Sequence, residues 1–393
     1  MKKFGRHFLN IFGFGTFTKK NPTKNVDIEK FEKFDLSKLL NNEPIDMVIA
    51  INEPAITPSI NLANIKDAFT IIDLDHPIDD NKFTNALKEV NLIFSANRQL
   101  ATGLEKKLNR HIVISRHVKK NKSNTKYIDL KKVYHLIDDT QIIVFDANIQ
   151  HSYGESPNDI FKQKLVFIAQ ILENLPRYVH LIITGGVTEK NIFKQYENIF
   201  EKHNCSTRVH FYTENLASFK YPLDFDNVDL ALLLNTQNYY TPVQYYKYLS
   251  KEVPMISTEF ADSNQLVTSA NIGEIINNQD VEQWVTKIKK HLNASLTEKE
   301  KIKTNLQTQK KQINGSLEAK HFVNSIENML TNCEKTQNLK ACIVDLSNNK
   351  ISDRTHNISY MLMEHGINVC VLTPFLPLSH TPLSHNIEYI KVS

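Results

Sequence analysis

Residues 228–292 read VDLALLLNTQNYYTPVQYYKYLSKEVPMISTEFADSNQLVTSANIGEIINNQDVEQWVTKIKKHL. An apolar run, a Tyr- and Pro-rich turn, a short helical stretch, a second apolar strand (VPMIS), Gly273 and a closing helix follow one another. Strands and helices alternating in this way predict an α/β layer with a parallel sheet. The apolar runs are continuous rather than alternating, as a strand covered on both faces requires.

The alternation extends upstream. TQIIVFDANI (140–149) reads as a strand. DIFKQKLVFIAQILENL (159–175) reads as a helix with Phe161, Leu165, Ile168, Ile171 and Leu172 apolar, and VHLIITGG (179–186) as the next strand. A helix over 188–203 and a strand over 208–214 complete a doubly wound parallel sheet across 131–293. Nearer the start, MVIAINEP (47–54), FTIIDLDH (69–76), LIFSANRQLATGLEKKL (92–108) and HIVISRHV (111–118) form a second, shorter series across 41–130. The charged run KKNKSNTKYIDLKK (119–132) reads as the connection between the two. Residues 294–330, rich in Lys, Glu, Gln and Asn, read as one long helix or a helix pair within a crossover spanning 294–335.

Bulk properties narrow the classes. A chain of 393 residues suggests two to three domains, and 23% charged residues with 41% hydrophobic ones are ordinary for a globular protein. A net charge of +4 gives no general case for nucleic acid. Cys205, Cys333, Cys342 and Cys370 are scattered without a C-x-x-C pair, which fits reduced thiols in a cytoplasmic protein. No run of about eighteen apolar residues predicts a spanning helix. The first 24 residues carry six Lys or Arg and no acid, interleaved with Phe4, Phe8, Ile11, Phe12, Phe14 and Phe17. Within a separate segment over 1–40, that pattern has two readings: an element lying on the inner, anionic membrane surface, or a disordered or lobe-packed start.

The 228–292 stretch resembles the nucleotide-sugar-binding lobe of the GT-B glycosyltransferases, in particular the large retaining family (group 1, family 4-like). Its frame "P…P-K-x-x-E-Y-x-a-x-G-x-P-V-I" fits as Pro242, Gln244, Lys247, Tyr248, Glu252, Pro254 and Ile256. LIFSANRQLATGLEKKL is similar to the family's "d-x-v-i-x-v-S-x-x-l-x-x-x-l" element, and VISRHV stands where the family has "v-i-p-N-g-v". The resemblance implies two facing Rossmann-type lobes and metal-independent, retaining transfer of a hexosyl or N-acetylhexosaminyl unit from a UDP- or GDP-sugar. The acceptor would be a glycan, a lipid-linked glycan or a protein in cell-envelope glycan assembly.

The charged positions depart from the family. Its "G-R-x-x-x-x-K-G", aligned through Gly154, places Asn148 at the Arg and Tyr153 at the Lys, so neither full charge is present for a leaving diphosphate. Its two glutamates, eight positions apart, correspond to Tyr239 and Lys247. Lys247 is read either as a substitute phosphate ligand or as a solvated helix residue. Glu252 replaces a glycine and is expected to add bulk and negative charge near the pocket. Thr184-Gly185-Gly186 follows an apolar strand as the family's "v-G-x-G" does, and a plain β–α turn reads the same. Tyr248 fits the frame, but an aromatic at helical spacing from Tyr245 is more often core than site.

These losses leave two functions: a glycosyltransferase, or a catalytically impaired GT-B-like subunit that supports a partner enzyme. Asp73-Leu74-Asp75, with Asp79 and Asp80, mimics the metal-binding D-x-D of GT-A enzymes; since the other elements follow the two-lobed pattern, no metal and no cofactor are expected. His76 and His117, at strand ends, are read as structural or as touching an acceptor. Finally, residues 339–375 resemble the opening of a glycosyltransferase N-terminal lobe: strand, helix ending at Gly366, strand. The block over 336–393 is expected to begin a partial third α/β unit in a tandem array. The alternative is that its strands return to complete the first lobe.

Overall fold

The computed structural model describes residues 36, 40, 43–78, 80–116, 118, 129–146, 157–185, 190–212, 225–235, 239–277, 279–331, 339–346, 352–374 and 387–391. Two parallel sheets carry the molecule. From edge to edge, the strands of the first sheet start at residues 387, 368, 340, 47, 69, 92 and 113, and those of the second at 273, 255, 230, 141, 179 and 209.

In the first sheet, β1 (Met47–Ile51), β2 (Phe69–Leu74), β3 (Leu92–Ser95) and β4 (Val113–Ile114) alternate with α1 (Ile56–Lys66), α2 (Asp80–Glu89) and α3 (Arg98–Leu108). Every residue of β1 is buried. Period-two alternation sends Val48, Ala50, Ile72 and Leu74 into one core, and Met47, Ile49, Ile51 and Ile71 into another on the opposite face. Two cores on one sheet explain why MVIAI is apolar throughout.

The block over 336–393 is not a third unit, which corrects the tandem expectation. β11 (Lys340–Asp345) pairs parallel with β1 from Met47↔Ala341 to Ile51↔Asp345, and β12 (Asn368–Thr373) and β13 (Ile387–Lys391) continue the ladder outward. The physical reason lies in β1. A fully buried strand left at a sheet edge would leave a row of unpaired N–H and C=O groups in an apolar layer, and β11 satisfies them. α11 (Asp353–Glu364) covers the joint, its Ile358 and Leu362 packing into the same core as Met47 and Ile49.

The second sheet holds β5 (Gln141–Asp146), β6 (Val179–Thr184), β7 (Val209–Tyr212), β8 (Leu230–Leu233), β9 (Met255–Ser257) and β10 (Gly273–Ile275). Its helices are α4 (Leu130–Val133), α5 (Pro157–Glu173), α6 (Lys190–Lys202), α7 (Val243–Ser250) and α8 (Val281–Leu292). Ile143, Phe145, Leu181 and Ile183 face one core, and Ile142, Val144 and Ile182 the other. The crossover is a helix pair, α9 (Leu296–Gln312) and α10 (Gly315–Leu330), because Ile313 at β-type angles ends the first and Asn314 caps the second. α10 packs on the first sheet, where Phe322 stacks on Phe94 with ring centroids 4.2 Å apart.

Gly273 fixes the edge of the second sheet. A Cβ there would lie 1.9 Å from the Met255 carbonyl oxygen, a backbone atom that cannot rotate away. Gly273→Ala is expected to cost about 1–3 kcal/mol through forced separation of β9 and β10. A urea titration checks this, as a lower midpoint at unchanged slope.

Candidate functional site

In an open parallel sheet, ligands bind beyond the carboxyl ends of the strands where the strand order reverses. In the second sheet that point lies between β5 and β8. β5 ends at Asp146, its neighbour β6 ends at Thr184, and α7 follows β8 through Pro242, which precedes the helix without a side-chain cap.

α7 turns Gln244, Lys247 and Tyr248 to one side, since residues three and four apart share a helix face. Lys247 Nζ lies 2.5 Å from Asp146 Oδ2 and 5.6 Å from the centroid of Phe225. The Asp146 N–H donates to the Tyr248 hydroxyl at 2.8 Å. Tyr248 is fully buried, and burial pushes its phenol well above the usual value, so it stays a neutral hydrogen-bonding group. It is therefore both a core aromatic and the clamp that holds the end of β5. Lys247 is 41% exposed and ion-paired to a carboxylate of its own chain, which neither sequence reading of it anticipated.

Among the described residues, two buried atoms on these elements, Thr184 Oγ1 at the end of β6 and Gln244 Oε1 on α7, have no hydrogen-bond partner. Gly185 takes φ +77° and donates its N–H to the Tyr212 carbonyl, turning the chain sharply after β6. Asn148, Tyr153, Gly154, Gly186, Asp79 and His117 lie outside the described residues. Glu252 is a correction. It sits just before β9, at the amino end of the strands, where its φ of +57° explains a family glycine. Its carboxylate pairs with Lys310 at 2.6 Å and accepts from Gln307, and the Lys310 hydrogen bond holds it below the usual glutamate range. It adds no charge to the pocket.

The facing end of the first sheet is a closed ionic network. Arg354, from α11, donates to Asp73 through Nε at 2.5 Å and Nη2 at 2.7 Å, with Nη2 also reaching Ser115 Oγ at 2.9 Å. Both partners are buried. Arg116 pairs with Glu318 of α10 at 2.9 Å. Asp73 is thus held by a guanidinium, and among the described residues no three His, Cys, Asp or Glu side chains are grouped to hold a metal ion. His76 contacts Asp75; burial opposes its protonation, but the hydrogen bond and charge of Asp75 outweigh that and raise its pKa.

The lobes touch across the groove. Asp262, at φ +62° after β9, accepts from the Arg98 N–H at 2.7 Å and the Gln99 N–H at 3.0 Å, capping α3 of the opposite lobe. Asn97 caps the same helix through Leu100 N–H and donates to the Tyr239 carbonyl at 3.2 Å. Tyr239 therefore meets the first lobe. Arg354, Arg116, Glu318 and Asp262 were not singled out from the sequence. Nothing local marks them, since their partners lie more than 160 residues away.

No family model matches the chain, and no curated protein sequence does. Solved structures do match. A glycosyltransferase from Rickettsia africae ESF-5 superposes with a TM-score of 0.60 at 10% identity, over 80% of this chain and 84% of that one. Anabaena Alr3699/HepE in complex with UDP gives 0.56 at 12% identity, over 77% and 80%. A UDP-forming α,α-trehalose-phosphate synthase from Burkholderia xenovorans, in complex with glucose-6-phosphate, gives 0.57 at 11%, over 76% of each chain. With two facing parallel sheets joined at a capped helix, the chain has the GT-B fold of the glycosyltransferases.

Proposed function

We propose that the chain binds a nucleotide sugar, UDP- or GDP-linked, at the carboxyl end of its second sheet and transfers the glycosyl unit to a glycan, lipid-linked or protein acceptor. The observation that carries this reading is that two buried oxygens on the elements flanking the β5/β8 reversal, Thr184 Oγ1 of β6 and Gln244 Oε1 of α7, lack a partner among the described residues. Buried polar atoms without partners are uncommon. In this reading the hydroxyls or amides of a bound donor complete them. The resemblance of residues 228–292 points to the same end of the sheet, and the UDP held by a protein of like fold supports a nucleotide-sugar donor.

In this reading Lys247 is the cation available to the leaving diphosphate, and it must exchange Asp146 for phosphate as the donor binds. Part of the binding energy goes into that exchange. The neutral groups at Thr184 and Gln244 orient the donor without adding charge, while Tyr248 holds the end of β5 in place. A second reading has its own observation: Lys247, Arg116 and Arg354 are each paired to a carboxylate. On that view the groove holds a donor or glycan without turnover and the chain serves a partner transferase. Membrane contact through residues 1–24, on the cytoplasmic face, belongs to the proposal. Among the described residues no helix is long and apolar enough to cross a membrane.

Calorimetric titration with UDP, GDP and their hexose and N-acetylhexosamine sugars tests the first reading. Micromolar binding, about −8 kcal/mol, together with enzyme-dependent release of UDP or GDP, is expected. Binding without release favours the accessory subunit, and absence of binding rejects both forms of the donor site.

A further inference from the structure

The first turn of α3 is completed by the opposite lobe. A helix leaves its leading N–H groups without partners of its own. In α3 these are the amides of Arg98, Gln99 and Leu100, since the Ala101 N–H already reaches the Asn97 carbonyl. Asn97 covers one of them, the Leu100 N–H, with its side chain. The other two donate to Asp262 of the second lobe, Arg98 N–H to Oδ2 at 2.7 Å and Gln99 N–H to Oδ1 at 3.0 Å. The cap is split between the lobes, so α3 is fully capped only while they stay together.

The loop that carries Asp262 is fastened to α7. Thr241 Oγ1 donates to the Ala261 carbonyl at 3.0 Å, and the Ala261 N–H donates to the Tyr240 carbonyl at 3.3 Å. Beyond Asp262 the chain makes a π turn over Asn264–Thr268, a geometry that occurs mostly at functional positions. Tyr245 of α7 pins that turn, its hydroxyl donating to the Leu266 carbonyl at 3.2 Å. Gln244 and Lys247 stand on the same helix. Asp262 itself takes φ +62°, a left-handed backbone that costs a side chain more than glycine. The loop accepts that strain at the residue whose carboxylate reaches α3.

Asn97 adds a third link, donating to the Tyr239 carbonyl at 3.2 Å. Arg98 and Gln99 are exposed, so water can take over their amides when the contact parts. That exposure separates this joint from the buried Arg354–Asp73 pair, which has no such replacement. We propose that Asp262 is a clasp: its carboxylate holds the two lobes together by capping α3, and the groove opens when the cap is released. The clasp rests on contacts between the lobes alone; its bearing on a donor held at α7 rests on the nucleotide-sugar reading.

Small-angle X-ray scattering and hydrogen exchange on the full chain, Asp262→Gly and Asp262→Asn test it. Glycine suits the positive φ, so the loop keeps its path and only the carboxylate is lost. Asparagine keeps one acceptor and tolerates the same backbone. Losing two charge-assisted hydrogen bonds at an exposed position should raise the open population about tenfold. Asp262→Gly is therefore expected to increase the radius of gyration by about 1 Å or more over the roughly 21 Å of a compact chain of this length. The amides of Arg98 and Gln99 should be protected in the unaltered chain and exchange about tenfold faster in Asp262→Gly, while those of β5, β6 and β8 keep their rates. Asp262→Asn should fall between the two. A radius of gyration left unchanged by Asp262→Gly, or free exchange of Arg98 and Gln99 in the unaltered chain, overturns the clasp. Neither readout uses a nucleotide, so failure of UDP to bind rejects the donor site and leaves the clasp standing.

Discussion

A chain cut after residue 338 is expected to lose its first lobe. The cut removes β11, which lies inside the first sheet, together with β12, β13 and α11. Ile343, Val344, Leu346, Ile358, Leu362, Val369, Val371 and Leu372 are all buried in that block. At about 1.5–3 kcal/mol for each buried aliphatic side chain, their loss is comparable to or larger than a typical domain stability of about 5–15 kcal/mol. Met47, Ile49 and Ile51 of β1 would also lose part of the core they share with α11. Hydrogen exchange is the direct measurement. The amides of β1 and β2 should exchange at unprotected rates, while β5, β6 and β8 keep their protection. Native protection in β1 without residues 339–393 would mean that this sheet does not depend on them.

The second large effect is expected at a single side chain. Arg354→Met leaves the Asp73 carboxylate buried without its guanidinium, and Ser115 Oγ without its donor. Breaking a buried pair from one side typically costs about 3–5 kcal/mol. Replacing both partners by apolar groups is far less costly, because the desolvation penalty goes with the charges. Asp73→Leu with Arg354→Met is therefore expected to recover most of the loss in a denaturant titration. Equal losses in the single and double variants would place the defect in packing rather than in charge.

The strands and helices of both lobes were readable because their signals are local. MVIAI, FTIIDL, QIIVFD and VHLIIT announce strands covered on both faces, and Lys190–Lys202 and Val281–Leu292 carry amphipathic helical spacing. Pairing between strands is not local. The ladder from Met47↔Ala341 joins residues almost 300 apart, and β11 followed by a helix and β12 reads equally well as the start of a new unit. What decided the matter was the bare edge of β1, a property of the folded sheet.

The candidate site divides along the same line. α7 supplied its residues by position, so Gln244, Lys247 and Tyr248 could be named in advance. Their partners could not. Asp146 was part of a predicted strand, and nothing in FDANIQ marks it as the counter-ion of Lys247. The Glu252 expectation failed for a related reason: position in a motif gives no direction along the strand axis. Its side chain turned to Lys310 at the amino end of the sheet.

The Lys247–Asp146 pair offers the most direct test, by calorimetric titration of UDP into the unaltered chain, Asp146→Asn and Lys247→Met. If the donor's diphosphate competes with Asp146 for the ammonium group, removing the carboxylate charge should tighten UDP binding about tenfold, near 1.4 kcal/mol. Removing the ammonium should weaken it by a similar factor. Three equal dissociation constants, or no binding by any of the three proteins, would contradict a nucleotide-sugar site at the end of β5.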